Sequence, residues 1–105
     1  MNYKSKRSKA CDINKATKLK VYERDNHRCI ICHSPFGIPN AHYIPRSKGG
    51  LGIEQNIVTL CARCHDITDH TEHRRFMLNK IEEYLKTKYP EWKKEDLIYD
   101  KWKIL

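Results

Sequence analysis

The clearest hydrophobic pattern lies in the C-terminal half. Between residues 71 and 88, Met77, Ile81, Tyr84 and Leu85 recur at i, i+4, i+7 and i+8 among charged positions. That spacing gathers them on one face and predicts an amphipathic helix over 71–88. Pro90 stops it, because the residue before a proline is pushed out of helical conformation. A weaker helical pattern runs through "KATKLKVYERDNH", with Ala16, Leu19 and Val21–Tyr22 at roughly helical spacing. Thr17 is its expected cap, and Asp25–Asn26 the turn that ends it.

Between these two helices the apolar runs are short. "RCIICHSPFG" is a β-branched run broken by Pro35 and Gly37, which reads as a cysteine knuckle and a turn. "IPNAHYIP" reads as a strand and "RSKGGLG" as a glycine-rich loop. "IEQNIVTLCARCHDITDH" passes from a turn into a helix beginning near Cys61. The tail "EWKKEDLIYDKWKIL" carries Trp92, Leu97, Ile98, Tyr99, Trp102 and Leu105, and is expected to pack back on the domain. The order of helix, short strands, helix and helix predicts a small α+β domain. Three parts are expected: a flexible basic arm over 1–14, a core over 15–72, and a C-terminal helix with packed tail over 73–105.

At 105 residues the chain has the size of one small domain, and such a short core often needs a staple. No 18-residue apolar run is present, so no membrane span is expected. The N-terminal "MNYKSKRSKACDINK" has no apolar stretch behind its charges and does not read as a secretory signal. A cytoplasmic protein with reduced thiols is therefore expected, a setting in which paired cysteines more often bind metal than form disulfides.

Five cysteines change the picture further. Cys29 and Cys32 form one CxxC knuckle, Cys61 and Cys64 another, with 28 residues between them. Two residues between ligands let both thiolates of a knuckle point at one ion. Two knuckles then supply the four sulfurs of a closed tetrahedral zinc site, which is structural because no position stays open. The alternative is two independent redox CxxC motifs. Cys11 has no partner in this pattern and is expected to be a free thiol in the arm.

Charge is uneven. The net charge is +8, and residues 1–28 carry nine Lys or Arg against three acids, whereas 66–105 carry nine against nine. A positive N-terminal half suits an acidic polymer such as DNA.

His65 follows Cys64 directly and is spare once zinc has its four thiolates. Asp69 lies four residues on and shares a helix face with it, so the pair makes a half-site for a divalent cation. His42 and Asn56 precede them.

The order Cys-x-x-Cys, His-x-x-Pro-Arg-x-x-Gly-Gly, Asn and Leu-Cys-x-x-Cys-His resembles the HNH endonucleases with a four-cysteine zinc site, over about residues 17–70. "YLKTKYPEWKKEDLIYDKW" is similar to the C-terminal extension of small bacteriophage members. The resemblance implies a ββα-metal finger whose zinc pins the hairpin to the helix. It implies DNA phosphodiester hydrolysis with a catalytic divalent ion, Mg²⁺ or Mn²⁺, with Zn²⁺ and Ni²⁺ as alternatives. It puts His42 in the place of the general base and His65 and Asp69 at the catalytic ion. Asn56 takes the middle position, where it either ligates metal or fixes the loop that orients the base. Arg46 and Lys48 would grip backbone phosphates. Tyr43 either stacks on substrate or packs in the core.

Ala41 departs from the pattern, since relatives carry a metal-ligating side chain there. Either His65, Asp69, Asn56 and waters hold the ion, or a nearby carboxylate or His70 substitutes, or catalysis is lost. The alternative functions are thus a zinc-stapled nucleic-acid-binding module and a phage regulatory protein. A dimer or a phage or host protein partner is compatible with the sequence but not indicated by it.

Overall fold

The structure, a computed structural model, describes residues 5–102. Its elements are helix α1 (Lys6–Cys11), helix α2 (Lys15–Arg24), strand β1 (Ile38–His42), a 3-10 turn (Arg46–Lys48), strand β2 (Ile57–Leu60), helix α3 (Ala62–His70), helix α4 (Arg74–Lys88) and a second 3-10 turn (Lys94–Leu97). The result is a small α+β fold in which a two-stranded antiparallel sheet runs directly into α3.

The expected arm is the largest departure. Residues 5–12 are not a loose tail but a short helix seated on the loop after β1. Ser5 caps α1 by accepting from the Ser8 N–H. Cys11 is buried, and the Gly52 N–H donates to the Ala10 carbonyl at 2.9 Å. A side chain at position 52 would strike the Asp12 carbonyl, so only glycine lets α1 approach this closely. Residues 1–4 of the expected arm lie outside the described residues.

Helix α2 starts at Lys15, where its apolar pattern begins, but its cap lies one turn before the expected one. Asn14, not Thr17, is the cap: its Oδ1 accepts from the Thr17 N–H at 2.8 Å. Of its apolar residues only Val21 is fully buried, and Leu19 is exposed. The helix ends on the node that organises the fold. The buried Asp25 carboxylate accepts from Arg24 Nε (2.7 Å) and Nη2 (3.1 Å), from the Thr59 N–H (2.9 Å) and from the Tyr84 hydroxyl (2.6 Å). Arg24 donates onward to the carbonyls of Glu54 (2.7 Å) and Ile57 (2.8 Å). One ion pair thus fastens α2 to β2, to the loop before it and to α4, with its hydrogen-bonding capacity filled from several sides, as a buried pair requires.

The helix expected over 71–88 begins at Arg74. Thr71 breaks it from α3: its backbone is extended, its hydroxyl donates to the Ile67 carbonyl (2.6 Å), and its Oγ1 accepts from the His73 N–H (3.1 Å). These local bonds offer the backbone an alternative to continuing the helix. Met77, Ile81 and Leu85 are buried as expected, with Tyr84 half-buried. They pack in one core with Val58, Leu60, Ala41, Tyr43 and three of the cysteines.

Strands β1 and β2 pair Ile38 with Leu60, Ala41 with Val58 and His42 with Ile57. The register slips by one residue between Ile38 and Ala41, a bulge just ahead of the Ala41–His42 step. Bulges re-aim the side chains next to them. The tail packs back in part. Leu97 is buried, the Leu51 N–H donates to its carbonyl (2.8 Å), and the Tyr99 N–H donates to Gly49 (2.8 Å). Trp102 stays 68% exposed, and Leu105 lies outside the described residues.

Candidate functional site

The two cysteine knuckles converge. The Cys29 N–H donates to the Ser34 carbonyl, and the His33 N–H to the Cys29 carbonyl, closing a tight turn in which His33 has φ 64°. The Ile30 N–H donates to Thr59, which ties this knuckle to β2. On the other side Cys61 caps α3, its Sγ accepting from the Cys64 N–H at 3.4 Å. The four sulfurs of Cys29, Cys32, Cys61 and Cys64 lie within 4.8 Å of one another, and those of Cys32 and Cys61 are 3.5 Å apart. Zn–S bonds of about 2.3 Å in a tetrahedron set the sulfurs about 3.8 Å apart, so the cluster fits one zinc ion. Burial raises the Cys29 thiol pKa, but hydrogen bonds from the backbone of Cys32, Cys61 and Ile31 outweigh it and bring the thiol down to about 7. Burial and the neighbouring thiols push Cys64 up. Without an ion the cluster resists carrying several thiolates at once; a dication removes that obstacle. Convergence of all four sulfurs also replaces the alternative of two separate redox pairs.

His42 ends β1, half-buried. Its Nε2 lies 2.9 Å from the Cys11 carbonyl oxygen. A carbonyl only accepts, so Nε2 carries the proton and the neutral ring keeps its lone pair on Nδ1. Burial lowers the pKa of His42, as do the nearby charges of Arg46 and His65; the Cys11 carbonyl and Asp12 oppose them without winning. The imidazole is thus neutral near pH 7 and able to take up a proton.

Asn56 lies behind the loop that follows β1. It is fully buried. Its Oδ1 accepts from the Ile44 N–H (2.8 Å), and its Nδ2 donates to the carbonyls of Ile44 (3.1 Å) and Leu51 (2.8 Å). Its own carbonyl accepts from the Tyr43 N–H (2.8 Å). The side chain clamps both ends of the 44–51 loop and has no face left for a metal ion.

His65 and Asp69 meet on α3 as their spacing requires, with Nε2 and Oδ2 3.2 Å apart and both half-exposed. Arg74 stands 4.0 Å from the other Asp69 oxygen. Among the described residues, the four cysteines are the one group of three or more metal-ligating side chains that converge. His70 is exposed at the end of α3 and joins no such group, and Ala41 is buried in the core opposite Val58. The helix face therefore brings together one imidazole and one carboxylate.

Arg46 and Lys48 are exposed on the 3-10 turn beyond Pro45. Arg46 is braced from α1: its Nη1 lies 2.8 Å from Asp12 Oδ1, and its Nη2 lies 3.4 Å from the Ser8 carbonyl and hydroxyl. Tyr43 is not beside them. Its side chain points into the core, where the hydroxyl donates to Glu82 at 2.7 Å and the ring meets Trp92 edge-on at 5.5 Å. At 6% exposure it has no surface on which a base could stack, so its expected contact with substrate is withdrawn in favour of core packing.

The residues missed by sequence reasoning all lie in α1. A main-chain carbonyl has no sequence signature, so nothing marked Cys11 as the partner of His42. Gly52 was the nearest hint, because a glycine beyond the expected turn often marks the close approach of another backbone.

Comparison with known proteins agrees with this geometry. Residues 29–75 match the model of the HNH endonuclease family. The chain is also similar to Anaredoxin of Nostoc sp. (strain PCC 7120), with 38% identity over 47 residues. That alignment covers 44% of this chain and 62% of the relative, so the chain spans somewhat under two thirds of that protein's length. The matched segment opens on Cys29, closes at the first turn of α4, and contains both knuckles, His42, Asn56 and His65. The likeness to the HNH endonuclease family thus spans residues 29–75, a little under half of the chain.

Proposed function

We propose that the protein is an endonuclease that hydrolyses phosphodiester bonds of DNA, with His42 as general base. The observation that carries this reading is the His42 ring itself. It is half-buried, with one nitrogen held by the Cys11 carbonyl and the other left with its lone pair, beside a turn carrying Arg46 and Lys48. Burial alone lowers the pKa of a histidine; what suits this one to a base is a ring fixed through Nε2 next to a basic turn. Nδ1 of His42 takes a proton from a water molecule as its oxygen attacks phosphorus, and the bond from phosphorus to the 3′ oxygen breaks. Asn56 keeps the loop behind the base from shifting. Arg46 and Lys48 hold phosphate oxygens of the strand. His65 and Asp69 would hold a divalent cation, which would supply positive charge to the phosphate as its charge develops.

The zinc at the four cysteines is structural in this reading. One such site cuts one strand, so nicking is the elementary event. The resemblance of the tail to small bacteriophage members favours a phage role inside a bacterial host. No helix among the described residues is long and apolar enough to cross a membrane. Incubation of supercoiled plasmid with Mg²⁺ or Mn²⁺ tests the proposal: wild type should convert it to open-circle or linear form, and leaving out the added metal should stop it. Equal conversion by His42→Ala would remove the histidine from its role.

One observation favours a second reading, a nucleic-acid-binding module with weakened catalysis. Ala41 leaves the cation one side chain short of the family pattern. Binding of DNA without cleavage in any divalent metal would select this reading.

A further inference from the structure

A small cleft of about 130 Å³ opens between α1 and the 3-10 turn, lined by Ser5, Arg7, Ser8, Cys11 and Arg46. The nuclease proposal uses Arg46 from this set but not the residues of α1. We propose that Arg7 and Ser8 of α1 join Arg46 to form a subsite for a second backbone phosphate, next to the one being cut; the assignment of which phosphate is cut rests on the nuclease reading.

Three observations point to a phosphodiester. First, two guanidinium groups border one cleft and both are held at fixed points. Arg7 Nη2 donates to the Ser47 carbonyl at 3.2 Å, and its guanidinium runs past Gly49, where an added Cβ would lie 3.5 Å from it. Arg46 is set by Asp12 at 2.8 Å. An arginine has five N–H donors in a planar fork, so one or two internal bonds leave several for a ligand. Second, Arg7 is exposed and Arg46 nearly half-exposed, so neither is sealed in a structural network. Arg46 reaches Ser8 only at 3.4 Å, weak contacts that a phosphate oxygen readily displaces. Third, the cleft shares a wall with the base. Cys11 lines it, and the carbonyl of Cys11 holds His42. Cys11 thus borders both the cleft and the base, which puts the two within one neighbourhood of the fold. Asp12 offsets part of the positive charge, which suits the single negative charge of a diester better than the double charge of a terminal phosphate.

Short DNA duplexes carrying one uncharged methylphosphonate at successive positions are the test. Affinity is read by fluorescence anisotropy with no divalent metal added, so that cleavage plays no part, and cleavage is read separately in Mn²⁺. In the wild type, one neutral linkage flanking the cut should weaken binding severalfold. Arg7→Gln should weaken binding to the natural duplex by a similar factor and lower the salt slope of log K by about one. At the critical linkage, Arg7→Gln and wild type should bind alike. Arg7→Lys should restore the salt slope, and zinc content and circular dichroism should show every variant folded. Two results overturn the subsite: an Arg7→Gln protein with wild-type affinity and salt slope, or a neutral linkage that costs variant and wild type equally at every position. Binding that follows the expected pattern without any cleavage would instead sink the nuclease reading and leave the subsite standing.

Discussion

His42 and Cys11 are 31 residues apart in the chain, yet the imidazole Nε2 of one lies 2.9 Å from the backbone carbonyl of the other. The contact joins the N-terminal helix to the family motif. It leaves Nδ1 as the nitrogen that can accept a proton, and it makes α1 part of the site rather than a basic appendage to it.

The pH dependence expected of the proposed cleavage follows from that environment. Burial of His42 and the charges around it move its pKa below the ordinary 6.5. The base is active when neutral, so kcat/KM should fall on the acid side with an apparent pKa below 6.5 and be flat from there to pH 8. His42→Ala should lower cleavage by about 10²–10⁴-fold, the usual contribution of a general base. An acid limb centred above pH 7 would contradict the neutral, half-buried ring.

Zinc should be stoichiometric. Metal analysis of purified protein is expected to give one zinc per chain, and Cys64→Ser or a strong chelator should abolish cooperative unfolding, because zinc binding and folding are one equilibrium in so small a domain. Cys11→Ser should retain the zinc, since that thiol lies outside the cluster. A preparation that is folded and free of zinc would refute the assignment.

Removing the Asp25 side chain should be costly. It pairs with Arg24 and also receives the Thr59 N–H and the Tyr84 hydroxyl. Asp25→Ala leaves the half-buried Arg24 guanidinium uncompensated and should destabilise the fold by about 3–5 kcal/mol. Tyr84→Phe removes one of those bonds and should cost about 1.5 kcal/mol. Urea unfolding measures both, and near-equal losses would show that the carboxylate is not the centre of the node.

Tyr43 should matter to stability and not to substrate. Tyr43→Phe removes the bond to Glu82 and should cost about 1.5 kcal/mol while leaving DNA affinity unchanged. The same bond, with Lys86 and Lys94, draws the Glu82 pKa from 4.5 down to about 2. A carboxylate depressed on folding stabilises above its unfolded pKa, and the effect fades as pH falls. The wild type should therefore lose stability between about pH 4.5 and 2, and Glu82→Gln should lose less over that window. A weaker hold on DNA in Tyr43→Phe would reopen the question of a substrate contact.

Thr59 carries a buried hydroxyl with no hydrogen-bond partner among the described residues. Replacing it by the isosteric valine removes an unsatisfied polar atom, so Thr59→Val should equal or exceed wild type in stability, by up to about 1 kcal/mol. A loss of more than about 1 kcal/mol would reveal a partner for Oγ1, since an unmade bond costs nothing to remove.

What the sequence by itself determined is set by local rules. Each CxxC knuckle turns two soft ligands toward one point, because the spacing leaves the pair little freedom, although only the fold brings the two knuckles together. A 3.6-residue period commits Met77, Ile81 and Leu85 to one buried face. His65 and Asp69 meet because i and i+4 always meet on a helix. The tertiary structure decided the rest, and each case turns on a group whose partner is distant and unmarked. Asn56 became a loop clamp rather than a metal ligand because its amide found three backbone partners around it. Tyr43 turned inward because Glu82 and Trp92 wait there, on elements 39 and more residues away. Residues 5–12 became a helix on the site because Gly52 lets their backbone close in and the Cys11 carbonyl meets His42. A main-chain carbonyl is the same in every residue, so no pattern of side chains announces where it will be needed.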